Sequence, residues 1–582
     1  MVLSFLLQQW NVRRISCIWL VFAVWALGTV PVRAQGNARV WEWEWAQKLA
    51  GGTSNSTCSN VVADANGNSY VTGRFNRTAQ FGGFTLTNPT PYTQVYVAKL
   101  DANGVCQWVT TVGNSGSGEG LALALDDTGN IYLTGTFFGA LSFGSTTLQS
   151  LQALPNSQST GSSLDVFVAK LSPSGTWLWA SAGGSPSHDY VRSIVVSTTG
   201  MVYVTGQIRD QATFGSTSTT LPGQSLPDTY VAALNASTGT WQWARSVPAA
   251  GTNSVNNSFG VGQGGVGLGL DAAGAIYVMG NFSGQATFGS TTLTTQSSSL
   301  YVAKLSATGN WLWARRTGSS GPDNGNAMAV DGAGNVYLTG TVRAQAVFGS
   351  TVLGNAGEFV AKMDSGGNWL WAKLLETNNY ASGRGIGLDV TGQHVSMMGL
   401  FMGTLTFGTL SKTVAGVGLY AIGLDTSGNG QWIEMANGGL QGVLSMTTAP
   451  NGVLYAVGQI ASDTYFGLNV LQPTPGGNDQ PYIARLAPRL ATAVAAPNTR
   501  RLATWPSPAA PAQSVRVSWA ADQHPTALIL RDALGREVYR QLIKTPGALG
   551  AAFPAPQAPG WYHCQLLLAN AQPVSSRLVV QP

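Results

Sequence analysis

Between residues 41 and 487 apolar and polar positions alternate with a period of two, in short runs bounded by Gly, Asp, Asn or Ser. That pattern predicts short strands and no long amphipathic helix. Four kinds of run recur in a fixed order, each seven times. One is Trp-x-Trp, at Trp43/Trp45, Trp177/Trp179, Trp241/Trp243, Trp311/Trp313 and Trp369/Trp371, with degraded copies at Cys106/Trp108 and Gly430/Trp432. The next is an apolar strand closed by an Asp-x-x-Gly-Asn turn, as at Asp64, Asp126 and Asp331. Its Asp bonds the backbone two residues on, and its Gly takes the left-handed conformation of a tight hairpin. The third is Tyr-Val-Thr-Gly, from Tyr70–Gly73 through Tyr337–Gly340, drifting to Ser396–Gly399 and Tyr455–Gly458 and always followed by Phe-Gly. The fourth is Tyr-Val-Ala-Lys-Leu, beginning at Tyr96, Phe167, Tyr230, Tyr301, Phe359, Tyr420 and Tyr482.

Four strands on short connections make one twisted meander, and a meander that cannot bury both faces alone does so by packing on copies of itself around an axis. The expected fold is all-β: a seven-bladed β-propeller of four-stranded blades over residues 35–488. The alternative is an open β-solenoid, whose repeats are usually shorter than these. Two Trp at i and i+2 are expected on one face of the outermost strand, filling the widest gap between blades. The order from axis to rim is then Asp-turn strand, Tyr-Val-Thr-Gly, Tyr-Val-Ala-Lys-Leu, Trp-x-Trp. The array opens with a Trp strand and ends after Leu486 without one, so the N-terminal strand is expected to complete the last blade.

Composition agrees, with 73 Gly, 19 Trp and only 9% charged residues. Arg13 and Arg14, the apolar run Ile15–Val30 and Val32-Arg33-Ala34 read as a signal peptide over 1–34, too short in its apolar part for a transmembrane anchor. The net charge of +5 lies in that leader and in the tail beyond residue 500. The repeat body is weakly acidic and lacks a nucleic-acid footprint. Cys58, Cys106 and Cys564 form no disulfide framework, and Cys58 and Cys106 are either one bridge or two buried thiols.

Candidate chemistry is sparse. His188, His394, His524 and His563 lack metal-ligand spacing, no cofactor motif is present, and Phe75 stands where a calcium loop starting at Asp64 would need its bidentate acid. Glu119, Asp189 and Asp323 fall in what read as equivalent positions before the inner strand, near Tyr190, Arg192, Asn324 and Arg384. They are expected to ring the channel mouth, either as a glycan-binding or acid/base set or as solvated loop charge. The longest insertions, Gln149–Ser163 and Gly251–Gly267, fall at this same end, which makes it the expected binding face.

The Asp-x-x-Gly-Asn-x-Tyr-Val-Thr-Gly run, with Phe-Gly and Tyr-Val-Ala-Lys-Leu, resembles the bacterial β-propeller repeat family of secreted and surface proteins, over about residues 41–487. That family implies no catalytic residues. After a Pro/Ala/Arg-rich linker at 489–503, the strand-rich residues 504–582 open on Trp505-Pro-Ser507-Pro and contain Gly535-Arg536 and Gly560-Trp-Tyr562. This tail resembles the C-terminal sorting domain of type IX secretion cargo, although Trp505 and Ser507 depart from the usual Tyr-Pro-Asn-Pro opening. The resemblance implies a small β-sandwich, the outer-membrane export machinery as partner, and a place outside a Gram-negative cell. The reading is a secreted or cell-surface protein with a non-enzymatic binding, adhesion or scaffold role toward a glycan or protein. The alternative is a secreted hydrolase or lyase acting on polysaccharide.

Overall fold

The computed structural model describes residues 39–49, 56–151, 163–215, 219–221, 228–250, 267–318, 321–343, 345–473 and 480–490 of the repeat body. In the tail it describes 503–505, 509–518, 525–532, 536–543, 550–568 and 574–580. The leader, most of the linker, the core of both long insertions, Pro506–Pro508 and Gly535 lie outside the described residues.

Each repeat forms four antiparallel strands paired in chain order. In the first they are Thr57–Ala63, Ser69–Phe75, Gln94–Leu100 and Cys106–Thr111; in the second Ser117–Leu125, Ile131–Phe138, Asp165–Leu171 and Trp177–Gly184. In the last repeat the strand Gln480–Leu490 is hydrogen-bonded on its outer edge by Arg39–Lys48, from the start of the chain. Leu49 N donates to Pro481 O at 2.9 Å, and Asn469 Nδ2 to Trp43 O at 2.9 Å. The N-terminal strand thus completes the last repeat.

The repeats meet through their apolar faces. One buried cluster joins Val97, Tyr70, Leu133 and Phe167 of the first and second repeats, and another joins Tyr132, Val168, Val204 and Trp241 of the second and third. The series continues to a cluster of Cys58, Val71, Tyr96, Tyr455 and Ile483, which joins the last repeat to the first. The first strand of every repeat contacts the first strand of the next, and that of the last contacts Thr57–Ala63. The array therefore closes on itself.

Three residues of the motif explain why the repeat keeps its spelling. In the second repeat Asp126 accepts from Thr128 N and Asn130 N to fix the turn, while Tyr132 OH donates to its other oxygen at 3.0 Å. Lys170 reaches the same carboxylate and lies over the Tyr132 ring. Asp271, Tyr277 and Lys304 repeat the set, with a Lys304–Asp271 distance of 3.2 Å. Where one member changes, others change with it: the third repeat has Ser197 and Ala233, the sixth Ser396 and Gly423, the seventh Ala449 and Arg485. The third repeat loses both charges together. The sixth keeps Asp389 with His394 as its new partner, and the seventh keeps a cation, Arg485, with Glu44 as its new partner. Each charge left at these half-buried sites is thus met by another group.

The two Trp of each outer strand do not share a face. Leu171 pairs with Trp177 and Lys170 with Trp179, so Leu178 is an extra residue, and the same register shift recurs in the first and in the third to sixth repeats. A bulge of one residue turns what would be a same-face pair into an opposite-face pair. The first Trp turns to the preceding repeat, where Trp177 Nε1 donates to Thr111 O, Trp241 to Ala182 O and Trp43 to Met435 O. The second turns to the following repeat, where Trp179 donates to Ala236 O, Trp371 to Thr426 O and Trp45 to Ala102 O.

Phe-Gly marks a further hairpin between the second and third strands. Phe143 packs edge-on against Trp177 at 4.9 Å, and Gly144 turns at φ 60° beside the Trp177 Cβ. The hairpin bonds back to the outer strand of the preceding repeat, as in Gly183↔Phe214, Glu376↔Thr406 and Ala436↔Phe466. Neighbouring repeats are thus joined by main-chain ladder as well as by side-chain packing.

In the tail, one sheet contains Ala503–Trp505, Ser514–Ser518 and Gly550–Pro554, and the other Glu537–Leu542, Pro525–Arg531, Gly560–Leu568 and Val574–Val580. Val515, Val517 and Phe553 from the first share one apolar cluster with Leu528, Leu530, Cys564 and Leu578 from the second. Cys58, Cys106 and Cys564 are free thiols, and burial pushes Cys58 and Cys564 up to about 12.

Candidate functional site

The candidate site lies where the innermost strands begin. Register against the Gly of Tyr-Val-Thr-Gly shows which positions correspond. Gly120 faces Gly135, Val191 faces Gly206 and Gly325 faces Gly340. Glu119 is therefore equivalent to Tyr190 and Asn324, and Asp189 to Asp323, so Glu119 sits one residue further along the strand than the two aspartates. Because strand side chains alternate, that single step sends Glu119 to the opposite face.

Asp189 and Asp323 are wholly buried. Asp189 accepts from Ser185 N and Oγ and from Arg209 N, and Asp323 from Thr317 Oγ1 at 2.7 Å and Arg343 N at 3.4 Å. These carboxylates tie the entry of the inner strand to the loop after the second strand, and they are not solvated loop charges. Asp189 has a neighbour that sequence reading missed, Asp165. A Cβ on Gly184 would stand 2.5 Å from Asp165 Oδ1 and 3.0 Å from Asp189 Oδ2, so only Gly fits between the two. Burial pushes Asp165 to about 7 against hydrogen bonds from Leu151 N and Ser163 Oγ, and Asp189 to about 8 against those from Ser185 and Arg209.

Glu119 joins a different group. It accepts from Ser59 Oγ at 3.1 Å and Thr57 Oγ1 at 3.4 Å, and Arg74 Nη1 lies 3.4 Å from its other oxygen. The Arg192 guanidinium lies over the Tyr190 ring at 6.0 Å. Burial lowers its pKa, and Tyr190 and Glu119 push it back up. The structure thus brings Glu119, Tyr190 and Arg192 together, with Arg74 and Ser59 as added members.

Arg384 stands with Glu358, also missed. Glu358 is fully buried at a position that is Val95, Val166, Leu300 or Leu419 in other repeats, and a carboxylate inside an apolar run was the available signal. Thr339 Oγ1 donates to Glu358 Oε1, while Glu358 Oε2 and Arg384 Nε are buried without a hydrogen-bond partner. Burial pushes Glu358 to about 8, partly offset by Thr339, Gly383 N and Arg384. Asn324 pairs with Thr341 at the start of its strand. Among the described residues no set of three or more His, Cys, Asp or Glu is placed to hold a metal, and no helix is long and apolar enough to cross a membrane.

A closed series of four-stranded antiparallel repeats with polar groups at the inner-strand entries defines an all-β repeat protein of the propeller class. Residues 312–341, spanning an outer Trp strand through the next Tyr-Leu-Thr-Gly, match the family described as Beta-propeller repeat. An uncharacterized WD repeat-containing protein of Acanthamoeba polyphaga mimivirus is 24% identical over 150 residues, covering 24% of this chain and 11% of that protein. The chain thus spans a small fraction of that relative's length. Similar solved structures include the hydrazine synthase of Kuenenia stuttgartiensis, at 13% identity over 72% of this chain and 96% of that one with a TM-score of 0.38. Another is YCF48 bound to D1 peptide, at 12% identity, 78% and 97% coverage and a TM-score of 0.35.

Proposed function

We propose that this chain is a secreted or cell-surface seven-bladed β-propeller that binds an extracellular glycan or protein without catalysing a reaction. In this reading residues 504–582 form a small β-sandwich by which the type IX secretion machinery carries it to the outside of a Gram-negative cell. The observation that carries the ring is the cyclic series of apolar clusters, in which the last repeat packs on the first. Seven copies of the motif in that series leave no repeat over.

The binding role rests on loop placement. The insertions beyond Gln149 and Ala250 both leave from the end where Asp189 N bonds Leu164 O and Asp323 N bonds Ser298 O. Long loops on a rigid scaffold are where recognition usually sits. A hydrolase needs two carboxylates that substrate can reach, whereas Asp189 and Asp323 are interior braces.

Two readouts test this. In a Gram-negative host with a working type IX system, the full chain is expected at the cell surface or in the medium, and a chain lacking 504–582 in the periplasm. Export that ignores the tail would remove the sorting assignment. On a glycan array the mature chain is expected to bind without releasing sugar, and released reducing ends would favour the hydrolase or lyase instead.

A further inference from the structure

The innermost strands share a bulge. In the six repeats where the described residues reach this point, the inner strand carries one residue too many opposite the Gly of Tyr-Val-Thr-Gly: Ser59, Leu121, Arg192, Asn326, Arg384 and Leu444. A bulge re-aims its extra side chain out of the face-to-face alternation. These six residues keep partial or full exposure, whereas Cys58, Val191, Gly325 and Gly383 beside them are buried. On a strand that lines the axis, the solvent they meet is the enclosed passage.

Two of the six carry positive charge and none carries negative. Residues 251–266, which precede Gly267–Leu270 in the chain and lie outside the described residues, contain no charged residue. Arg192 Nε and Arg384 Nε are both buried without a hydrogen-bond partner. The acid nearest Arg192 in electrostatic effect, Glu119, is already engaged by Arg74 and two hydroxyls. The acid beside Arg384, Glu358, is pushed up to about 8 by burial, which weakens it as a counterion, and its Oε1 is already engaged by Thr339 Oγ1. Each guanidinium is thus set in a low-dielectric wall with its Nε turned inward, while the residue as a whole keeps partial exposure, and a guanidinium presented from such a wall suits an oxyanion.

We propose that the central passage binds an anionic ligand, with its carboxylate or sulfate oxygens held by the guanidiniums of Arg192 and Arg384. The inference rests on the ring and the binding role proposed above, and adds the charge class of the ligand and the residues that take it. Leu121 and Leu444, at matching bulges, supply apolar wall for the uncharged body of such a ligand.

The test is calorimetric titration of the mature full chain with oligogalacturonate, with a sulfated oligosaccharide and with a neutral maltooligosaccharide of equal length. Binding of at least one anionic probe is expected, with little for the neutral one. Arg192→Gln or Arg384→Gln is expected to weaken it about tenfold each, the effect of losing one charged hydrogen-bonding partner. Whichever of the uronate and sulfate arms binds identifies the oxyanion. Leu444→Glu, at a residue 44% exposed and distant in sequence from both arginines, keeps the test open if an Arg variant fails to fold. It places a negative charge in the passage and is expected to weaken binding as well. Equal binding of the neutral probe, no binding of either anion, or an anion affinity unmoved by the double Arg variant and by Leu444→Glu would overturn the proposal. A neutral glycan or protein bound at the loop-bearing end and indifferent to these variants would overturn it while leaving the binding role intact.

Discussion

Deleting residues 39–48 is expected to abolish cooperative folding of the whole ring, not merely to loosen its last repeat. The strand touches three repeats at once. Its backbone pairs with Gln480–Leu490, Trp43 packs edge-on against Phe466 at 5.1 Å and donates to Met435 O, and Trp45 donates to Ala102 O of the first repeat. Trp41 adds a stack on Trp432 at 4.1 Å, and Glu44 pairs with Arg485. Truncating one buried large aromatic costs about 3–5 kcal/mol, and two such losses already match the net stability of roughly 5–15 kcal/mol usual for a folded domain. The deletion also frees a long hydrogen-bonding edge that invites self-association. Urea unfolding followed by Trp fluorescence should show an early, broad transition with aggregation. Trp241→Ala, equivalent to Trp43 but remote from the closure, should lower stability by only about 3–5 kcal/mol and keep the transition sharp. A deletion variant that melts like the intact chain would contradict this account.

Replacing Glu358 by Gln is expected to raise stability above neutral pH and to flatten its fall with pH. Glu358, Asp165 and Asp189 are each raised from ordinary carboxylate values to about 8, 7 and 8 by burial. Between about pH 4 and pH 8 the folded state therefore holds protons that the unfolded chain has released. Stability from such groups is complete below the unfolded pKa and lost as pH rises through the folded one, with a slope of about 1.4 kcal/mol per pH unit for each group fully in that window. Asp126, Asp364, Asp389 and Asp425 work in the opposite sense. Side-chain and backbone donors outweigh their desolvation and hold them below their usual values, so their stability is present at neutral pH and lost only in strong acid. The chain should be most stable in mild acid, near pH 5. Urea midpoints at pH 5 and pH 8 should lie closer together in Glu358→Gln than in the parent, with Asp165 and Asp189 keeping the rest of the fall, and parallel profiles in variant and parent would show that Glu358 is ionised when buried.

Much of the architecture is legible in the chain because each repeated residue has a contact to make. Asp126, Tyr132 and Lys170 form one linked set, so their spacing survives, and the coordinated changes at Ser197 and Ala233 mark where the set is given up. The outermost place of the Trp strand and the completion of the last repeat by Arg39–Lys48 follow from the same periodicity. Bulges are what periodicity hides. The extra Leu178 splits Trp177 from Trp179 onto opposite faces, and a count of i and i+2 places them together. Residue offsets act likewise at the candidate site. Glu119 lies one position from the place held by Asp189 and Asp323, and one position on a strand exchanges a hydroxyl-lined pocket for a buried brace around backbone amides. Glu358 was readable as a break in an apolar column once the repeats are superposed by register, but not from its own surroundings in the chain. The bond from Phe-Gly hairpins to the preceding repeat, as at Gly183↔Phe214 and Ala436↔Phe466, has no marker of its own, since main-chain pairing leaves no residue signature.

The ring itself is tested most directly by amide hydrogen exchange of the full chain, read at Arg39–Lys48. If these residues are the outer strand of the last blade, their amides are expected to exchange as slowly as those of Trp177–Gly184, the outer strand of the second, and Gln480–Leu490 should be protected to the same degree. Exchange of Arg39–Lys48 at the rate of an unstructured chain, beside a protected Trp177–Gly184, would show that the first strand does not close the array.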